Sequence, residues 1–468
     1  MRDNTTTISA QEVMAQRGLA RQIAARPDAP KSYHLTTFGC QMNSHDSETI
    51  AGILRDMGMK AEQDQEHADL ILFNTCCIRD NAERRAMGHI IFTKEIKKKR
   101  PQTLVGVMGC MVQQGGAAGK LRDKHRHVDF TCGPGEIYRL PERIMHALEG
   151  RREAAFARGE DSTLYEGMPV MRKSPFMAYV TVMYGCDNFC SYCVVPSVRG
   201  RERSRQLSDI VAEAKGLVND GVKEIMLLGQ NVNSFGTDGA GPRFPTLLRA
   251  LHEETGIQRL RFMTSNPKDL SDELIAEMAR NPAVCPHLHL PAQSGSDRML
   301  SAMNRRYTRE RYDERVRALR QAMPHIGLTT DLIVAYPGET EADFDETLDL
   351  VRRTRYDSAF TFIFSPRTGT VAAELPGRVS PAIARDRITR LIKAQEDITR
   401  EVFESLIGTA AQVLVEGPAK RGRGQVTGKT GRNIGVNFEG EESLTGQIIP
   451  VLITGQGSNT LKGERINT

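Results

Sequence analysis

The sequence predicts an α/β protein in three parts: an amino-terminal parallel sheet, a central open or complete α/β barrel, and a small terminal β-barrel. Three observations carry this. Residues 31–149 alternate short β-rich runs with helical stretches. Six further βα repeats follow up to about residue 400. From residue 409 the helical period is lost, and Gly-rich, β-rich runs take over.

Taken in order, residues 1–30 are polar, end in Pro27-Asp28-Ala29-Pro30, and are expected to form a flexible arm. Strands are expected at Tyr33–Phe38, Leu70–Asn74, Leu104–Met108 and His127–Thr131, with helices at Ser47–Asp56, Asn81–Lys99 and Leu140–Leu148. Residues 150–172 are charged and poor in large apolar side chains, as in a linker. The barrel, 173–404, takes its strands from Ala178–Met183, Glu224–Leu228, Leu260–Thr264, Leu288–Leu290, Thr330–Ala335 and Ala359–Phe364. A long helical stretch, Ile383–Leu406, leads into the last unit, 405–468. Its β-rich runs include Gln412–Val415, Ile434–Phe438 and Gln447–Leu452, enough for about five strands.

Composition narrows the function. With 39% hydrophobic and 26% charged residues the 468-residue chain is globular. A net charge of +5 permits a nucleic-acid partner without demanding one. No run approaches the length of an apolar membrane span, and Met1-Arg2-Asp3-Asn4 lacks a signal-peptide core, so a cytoplasmic protein with no membrane partner is expected. In that compartment nine cysteines point to metal or redox chemistry rather than to a disulfide framework.

The strongest signal is Cys186-Asp187-Asn188-Phe189-Cys190-Ser191-Tyr192-Cys193, directly after a predicted strand. A loop with this spacing can set three sulfurs around one face of an iron–sulfur cubane. Such clusters usually take four cysteines, so a missing fourth leaves one iron free for a small molecule. Structural zinc, the competing reading, wants four closed ligands, and no fourth Cys or His lies close; His287 and His289 are distant and read as core histidines.

Cys40, Cys76 and Cys110 are far apart in sequence, but each immediately follows a predicted strand. In a parallel sheet those ends share one edge, so three thiols could converge there, with Gly39 and Gly109 allowing close approach. Ordinary buried cysteines are the alternative. Cys132 also follows a strand-like run and is not excluded by pattern; Cys77 and Cys285 are expected to be structural, with Cys77 facing away.

The C-x3-C-x2-C run, with Tyr192 before its last Cys, resembles the radical S-adenosylmethionine superfamily. The resemblance implies that Cys186, Cys190 and Cys193 hold a 4Fe–4S cluster, that S-adenosylmethionine is the cosubstrate, and that Tyr192 lies near its adenine. Radical chemistry of this kind suits an unactivated C–H bond. Thr37-Phe38-Gly39-Cys40-Gln41-Met42-Asn43-Ser44, Asn74-Thr75-Cys76 and Gly109-Cys110 are similar to the amino-terminal module of the radical methylthiotransferases. There the three cysteines hold a second 4Fe–4S cluster, with no counterpart of Cys132. The order of modules, cluster domain, radical core and TRAM-type β domain, fits the three parts found above.

Within that family Leu228-Gly229-Gln230-Asn231-Val232-Asn233-Ser234, Asn188–Pro196 and Phe364-Ser365-Pro366-Arg367 resemble the members that act on tRNA adenosine. The implied reaction is methylthiolation of C2 of N6-isopentenyl adenosine at position 37, in the tRNA anticodon loop. S-adenosylmethionine would be both methyl donor and radical source. An electron donor and a sulfur or cluster-supply protein are implied partners, and a monomer is the default. Ser197-Val198 and Ala335-Tyr336 depart from the commoner Tyr-Thr and Gly-Phe. Two readings stay open beside this one: the same chemistry on a ribosomal-protein aspartate, and a non-enzymatic iron–sulfur electron-transfer or RNA-binding module.

Weaker signals complete the set. Lys420, Arg421, Arg423, Lys429 and Arg432 face only Glu416 across 416–432, a pattern suited to a phosphate chain. Gln293 (with Ser294) and Glu339 sit at predicted strand ends, where they could line the cosubstrate pocket or serve turn chemistry. The Lys97-Lys98-Lys99-Arg100 run fits a helix carboxyl end better than an RNA contact.

Overall fold

Within the polar first thirty residues, Ala10–Ala24 form a helix rather than an arm. Ser9 caps a helix, α1 (Ala10–Ala24), by accepting from the Glu12 N–H at 3.1 Å, and Gln16, Ala20 and Ile23 turn one buried stripe toward the amino-terminal module. The spacing i, i+4, i+7 was present in the sequence, but two of its three residues are not strongly apolar. The computed structural model describes residues 6–77, 80–152, 163–164, 166–239, 241–422 and 424–466.

Five parallel strands build the amino-terminal sheet: β1 (Ser32–Thr37), β2 (Lys60–Ala61), β3 (Leu70–Thr75), β4 (Leu104–Gly109) and β5 (Phe130–Cys132), in the order β2-β1-β3-β4-β5. Every residue of β3 and β4 is buried. That is the mark of a parallel sheet with helices on both faces, here α2 (Gln41–Asp56) and α3 (Asp80–Lys99) among them. Each fully buried Leu, Ile or Val contributes about 1.5–3 kcal/mol. The register pairs Thr37 with Asn74 and Thr75 with Gly109, so β1, β3 and β4 end level at one edge. The basic run closing α3 is partly spent internally: Lys97 pairs with Asp129, and Arg100 with Asp69 at 2.8 Å, while Lys98 and Lys99 stay exposed.

The expected linker is partly pinned. The Met171 and Lys173 N–H groups donate to Glu48 of α2. Arg205 pairs with Glu166 at 2.5 Å.

Six parallel strands then form the barrel: β6 (Met177–Thr181), β7 (Glu224–Leu228), β8 (Arg259–Phe262), β9 (His287–His289), β10 (Gly327–Val334) and β11 (Ser358–Ile363). They make two three-stranded sheets, β8-β7-β6 and β9-β10-β11, joined by a bridge between Leu260 and Val284. Among the described residues β6 and β11 do not pair, so the barrel is open; Phe360 and Ile363 of β11 are exposed there. A short helix, α4 (Val195–Arg199), follows the loop after β6.

After α5 (Pro381–Glu404) the chain closes a five-stranded barrel from β12 (Ala410–Pro418), β13 (Gln425–Thr430), β14 (Gly435–Glu439), β15 (Ile448–Gln456) and β16 (Leu461–Arg465), ordered β12-β13-β14-β16-β15. It docks under the amino ends of the central strands. Arg259 and Arg261 donate to the backbone carbonyls of Gln412, Lys429, Thr430 and Gly431 at 2.6–3.1 Å. Buried Glu224 neutralises both, 2.9 Å from Arg261 and 3.5 Å from Arg259. The opposite, carboxyl ends of the strands carry the cysteines.

Candidate active site: two thiol trios at one barrel mouth

The central trio is shaped by its own loop. Gly185 has φ +72°, and a Cβ there would sit 1.9 Å from the Arg201 carbonyl oxygen, so only glycine lets the loop close on itself. Phe189 adopts φ +47°, its ring under the Arg201 guanidinium at 5.2 Å. The Asn188 amide donates to Cys186 Sγ at 3.3 Å, and the Arg305 guanidinium to Cys190 Sγ at 3.4 Å. Burial pushes the Cys186 thiol up to about 11. Burial, reinforced by Cys190, pushes Cys193 up to about 12. Cys186 and Cys193 therefore keep their protons at neutral pH as bare thiols, and binding iron must expel them.

The amino-terminal trio is shaped by the sheet. Cys40 caps α2, and Cys76 and Cys110 directly follow β3 and β4. Gly39, at φ +117°, lies so close that a Cβ would be 2.5 Å from Cys76 Cβ and 3.0 Å from its sulfur. Asn43 ties the turns together, donating to the Phe38 and Thr75 carbonyls at 2.9 Å each. Arg199, from α4 of the barrel, enters this site and pairs with Asp46 at 2.8 Å and Asn43 Oδ1 at 3.1 Å. Both members of the ion pair are 4% exposed, so neither has water as an alternative partner. Its charge acts on Cys110 and Cys40.

Cys77 does not face away, as the sequence suggested. It hydrogen-bonds Cys110, and that bond, with the Arg199 charge, pulls the Cys110 thiol down from its ordinary range. Cys77 and Cys110 in turn pack against Val194 and Val198, so the two trios share α4 and its approach as a wall. Cys132 stands apart: it is fully buried and donates to the Glu136 carbonyl at 3.2 Å. Cys285 lies beside Arg259 and Arg261 on the barrel floor.

Whether a cluster suits these residues can be judged from the chain itself. Each donor set is of thiols, the ligand iron–sulfur clusters take. Gly39 lets the turn before Cys40 press directly on Cys76, which brings those two thiols close. Among the described residues no three His, Cys, Asp or Glu close on a single ion, so neither trio is a ready-made zinc site. Thiolates bound to different irons of a cubane stand further apart than those on one ion.

Beside the central trio lies a cavity of about 720 Å³, large enough for a cosubstrate-sized ligand. Tyr192, Cys193 and Gln293 line it, with Asp331 and Thr361 from β10 and β11, and Arg84 from α3. Tyr192 packs among Met299, Met303, Tyr336 and Phe364. Among the described residues, five of the seven non-glycine residues with positive φ lie around this mouth: Phe189, Gln293, Asn304, Arg306 and Ala335. Strain of this kind persists where the surroundings enforce it, commonly at ligand sites. The φ of +60° at Ala335 is one that glycine would adopt without strain, and the Tyr336 hydroxyl is tied to Ser191 of the cysteine loop at 2.8 Å.

Two expected site residues do other work. Glu339 is outside the cavity lining; it accepts from Ala335 N–H at 2.6 Å and from Arg387 at 2.8 Å, bracing the turn after β10. Arg432 is engaged with Asp357 at 2.7 and 3.0 Å and clamps the terminal barrel to the floor rather than facing RNA. Lys420 and Arg421 are exposed, Lys429 is half-buried, and Arg423 lies outside the described residues. Sequence reasoning missed Arg199 and Arg305; an Arg six residues past the cysteine motif and another in Asn304-Arg305-Arg306-Tyr307 were visible, but nothing local told where they point.

Residues 180–351 match the Radical SAM superfamily, and residues 32–133 match the uncharacterized protein family UPF0004. The tRNA-2-methylthio-N(6)-dimethylallyladenosine synthase of Alkaliphilus oremlandii is 46% identical over 437 residues, 93% of each chain. The enzyme of that name from Thermoanaerobacter sp. is 44% identical over 461 residues, 98% of each chain. Among solved structures, the radical S-adenosylmethionine methyltransferase TsrM of Kitasatospora setae, with cobalamin and a [4Fe-4S] cluster bound, superposes with a TM-score of 0.55 at 17% identity, over 73% of this chain and 77% of that one, a likeness of fold. The chain belongs to the radical S-adenosylmethionine methylthiotransferase family of the tRNA-2-methylthio-N(6)-dimethylallyladenosine synthases.

Proposed function

We propose that the protein methylthiolates C2 of N6-isopentenyl adenosine at position 37 of tRNA, using S-adenosylmethionine both as methyl donor and as radical source. What supports this is a three-thiol loop at the barrel mouth and a second three-thiol set at strand ends packed against the helix that follows it, in a chain 46% identical over 93% of its length to a synthase of that name. Cys186, Cys190 and Cys193 would hold one 4Fe–4S cluster, and Cys40, Cys76 and Cys110 the other. When bound, the first cluster would pass on the electron that splits S-adenosylmethionine, and the second would carry the sulfur that receives the methyl group.

The chain's own residues orient the reactants. Tyr192 and Gln293 wall the cavity beside Cys193, where the cosubstrate would lie. Buried Tyr336, Met299 and Met303 exclude water behind Tyr192, protecting a reactive radical from side reactions. Arg84 reaches the same cavity from the amino-terminal module, so both modules contact whatever enters. The target base must leave its stack at a cost of a few kcal/mol. Exposed Lys420 and Arg421 are offered to the phosphate chain to offset it. A cytoplasmic monomer, served by an electron donor and a sulfur or cluster-supply protein, completes the proposal; no described helix is long and apolar enough to cross a membrane.

The test is mass spectrometry of tRNA nucleosides from a deletion strain, with and without the restored gene. Loss of 2-methylthio-N6-isopentenyl adenosine, with the unthiolated nucleoside accumulating, is expected. Unchanged nucleosides beside a change in a ribosomal-protein aspartate would move the activity to a protein target.

A further inference from the structure

We infer that Arg305 is a positioning residue that sets the reduction potential of the cluster at Cys186, Cys190 and Cys193, by donating a charged N–H to the Cys190 sulfur. The inference rests on the assignment of those thiols proposed above.

Arg305 is 6% exposed, and each arm of its guanidinium is fixed. Nη1 reaches Cys190 Sγ at 3.4 Å, Nη2 donates to the Pro291 carbonyl at 3.0 Å, and Nε donates to the Tyr307 hydroxyl at 3.0 Å. The Tyr307 ring lies 5.2 Å from the guanidinium carbon, and its hydroxyl is held by the Ala292 carbonyl at 2.8 Å. A buried cation this constrained costs several kcal/mol to desolvate unless something negative faces it. Its hydrogen-bond partners are a carbonyl, a phenol and the thiol of Cys190, none of them a carboxylate.

The backbone is bent to aim it. Asn304 and Arg306, on either side, have φ +56° and +59°. Two left-handed excursions flanking one residue are costly and persist only where the fold enforces them. The same turn holds the cysteine loop from outside, since the Asn304 amide donates to the Phe189 carbonyl at 2.8 Å. Arg305 and the loop are therefore placed by one structure.

The physical consequence has a definite sign. Adding an electron makes a cluster more negative, so a charged donor at one of its sulfurs stabilises the reduced form more than the oxidised form. Arg305 thus raises the potential and lets a cellular donor fill the site. Cys186 receives only the neutral amide of Asn188, which exerts the weaker pull.

The experiment is a redox titration, followed by electron paramagnetic resonance, of the anaerobically reconstituted full chain. A Cys76→Ala background silences the second site. Arg305→Gln should make electron uptake at least tenfold less favourable, a midpoint about 59 mV more negative; Arg305→Lys, keeping charge without the fixed fork, should fall between. Midpoints of both variants within twofold of the background in equilibrium constant would overturn the inference. Loss of the central iron in both variants would overturn it too, leaving Arg305 a purely structural group. If the background protein shows no cluster signal, or Cys190→Ala keeps it, the thiol assignment itself has failed and the inference falls with it.

Discussion

The two thiol trios differ in how the chain makes them. The central one is local: three sulfurs within eight consecutive residues, on a loop closed by Gly185 against the Arg201 carbonyl. The amino-terminal one is assembled from three strand ends, level because Thr37 pairs with Asn74 and Thr75 with Gly109. The first depends on one turn and its supports. The second depends on the register of a whole sheet, and on an arginine borrowed from the other module. A chemically similar donor set can thus be built by proximity in sequence or by topology, and the two should fail differently.

The largest effects should separate them by chemistry. Cys190→Ala is expected to abolish cleavage of S-adenosylmethionine, measured as 5′-deoxyadenosine. Cys76→Ala should keep cleavage while thiomethyl transfer is lost and bound iron falls by about half, from two cubanes to one. Iron unchanged in Cys76→Ala would sink the second assignment, and Cys77, against Cys110, would become the ligand to examine.

Next comes the borrowed arginine. Arg199→Met removes the partner of buried Asp46 and should cost about 3–5 kcal/mol in denaturant unfolding of the amino-terminal module. The Cys186–Cys193 site should keep its iron, because α4 ends at Arg199 beyond the last of those cysteines. Parallel loss of both sites would show that the trios are one cooperative unit.

Smaller is Gly39→Ala. At φ +117° the new Cβ meets Cys76, and a cost of roughly 1–3 kcal/mol is expected, confined to the amino-terminal trio. On the RNA side, Lys420→Ala or Arg421→Ala should each lower the salt slope of tRNA binding by about 0.7, whereas Arg432→Ala should leave the slope unchanged and lower stability. A slope lost with Arg432 instead would return that residue to the RNA surface. Cys132→Ala should be smallest, leaving both activities intact.

Much of this was legible before any coordinates. The βα alternation announced the parallel sheet and the open barrel, since β-rich runs and helical stretches of these lengths leave few other topologies. The strand-end position of Cys40, Cys76 and Cys110 marked one edge because parallel strands share a direction. Where the reading failed, the cause was a missing long-range term. The arm became α1 because Gln16 and Ala20, weak apolar signals alone, are covered by the neighbouring module. Arg432 looked like one more basic surface residue until Asp357, distant in sequence, was found opposite it.

By itself, then, the sequence determined the chemistry on offer: a cysteine loop whose ligands are near neighbours, and three strand ends each carrying a thiol. Only the tertiary structure decided which charges surround those sulfurs. Arg305 meets Cys190 across 115 residues, and Arg199 meets Asp46 across 153. Local periodicity fixes elements because it acts over one or two turns. The partner of a buried charge is chosen when modules dock, where an unpaired ion would cost several kcal/mol, and that choice leaves no local trace in the chain.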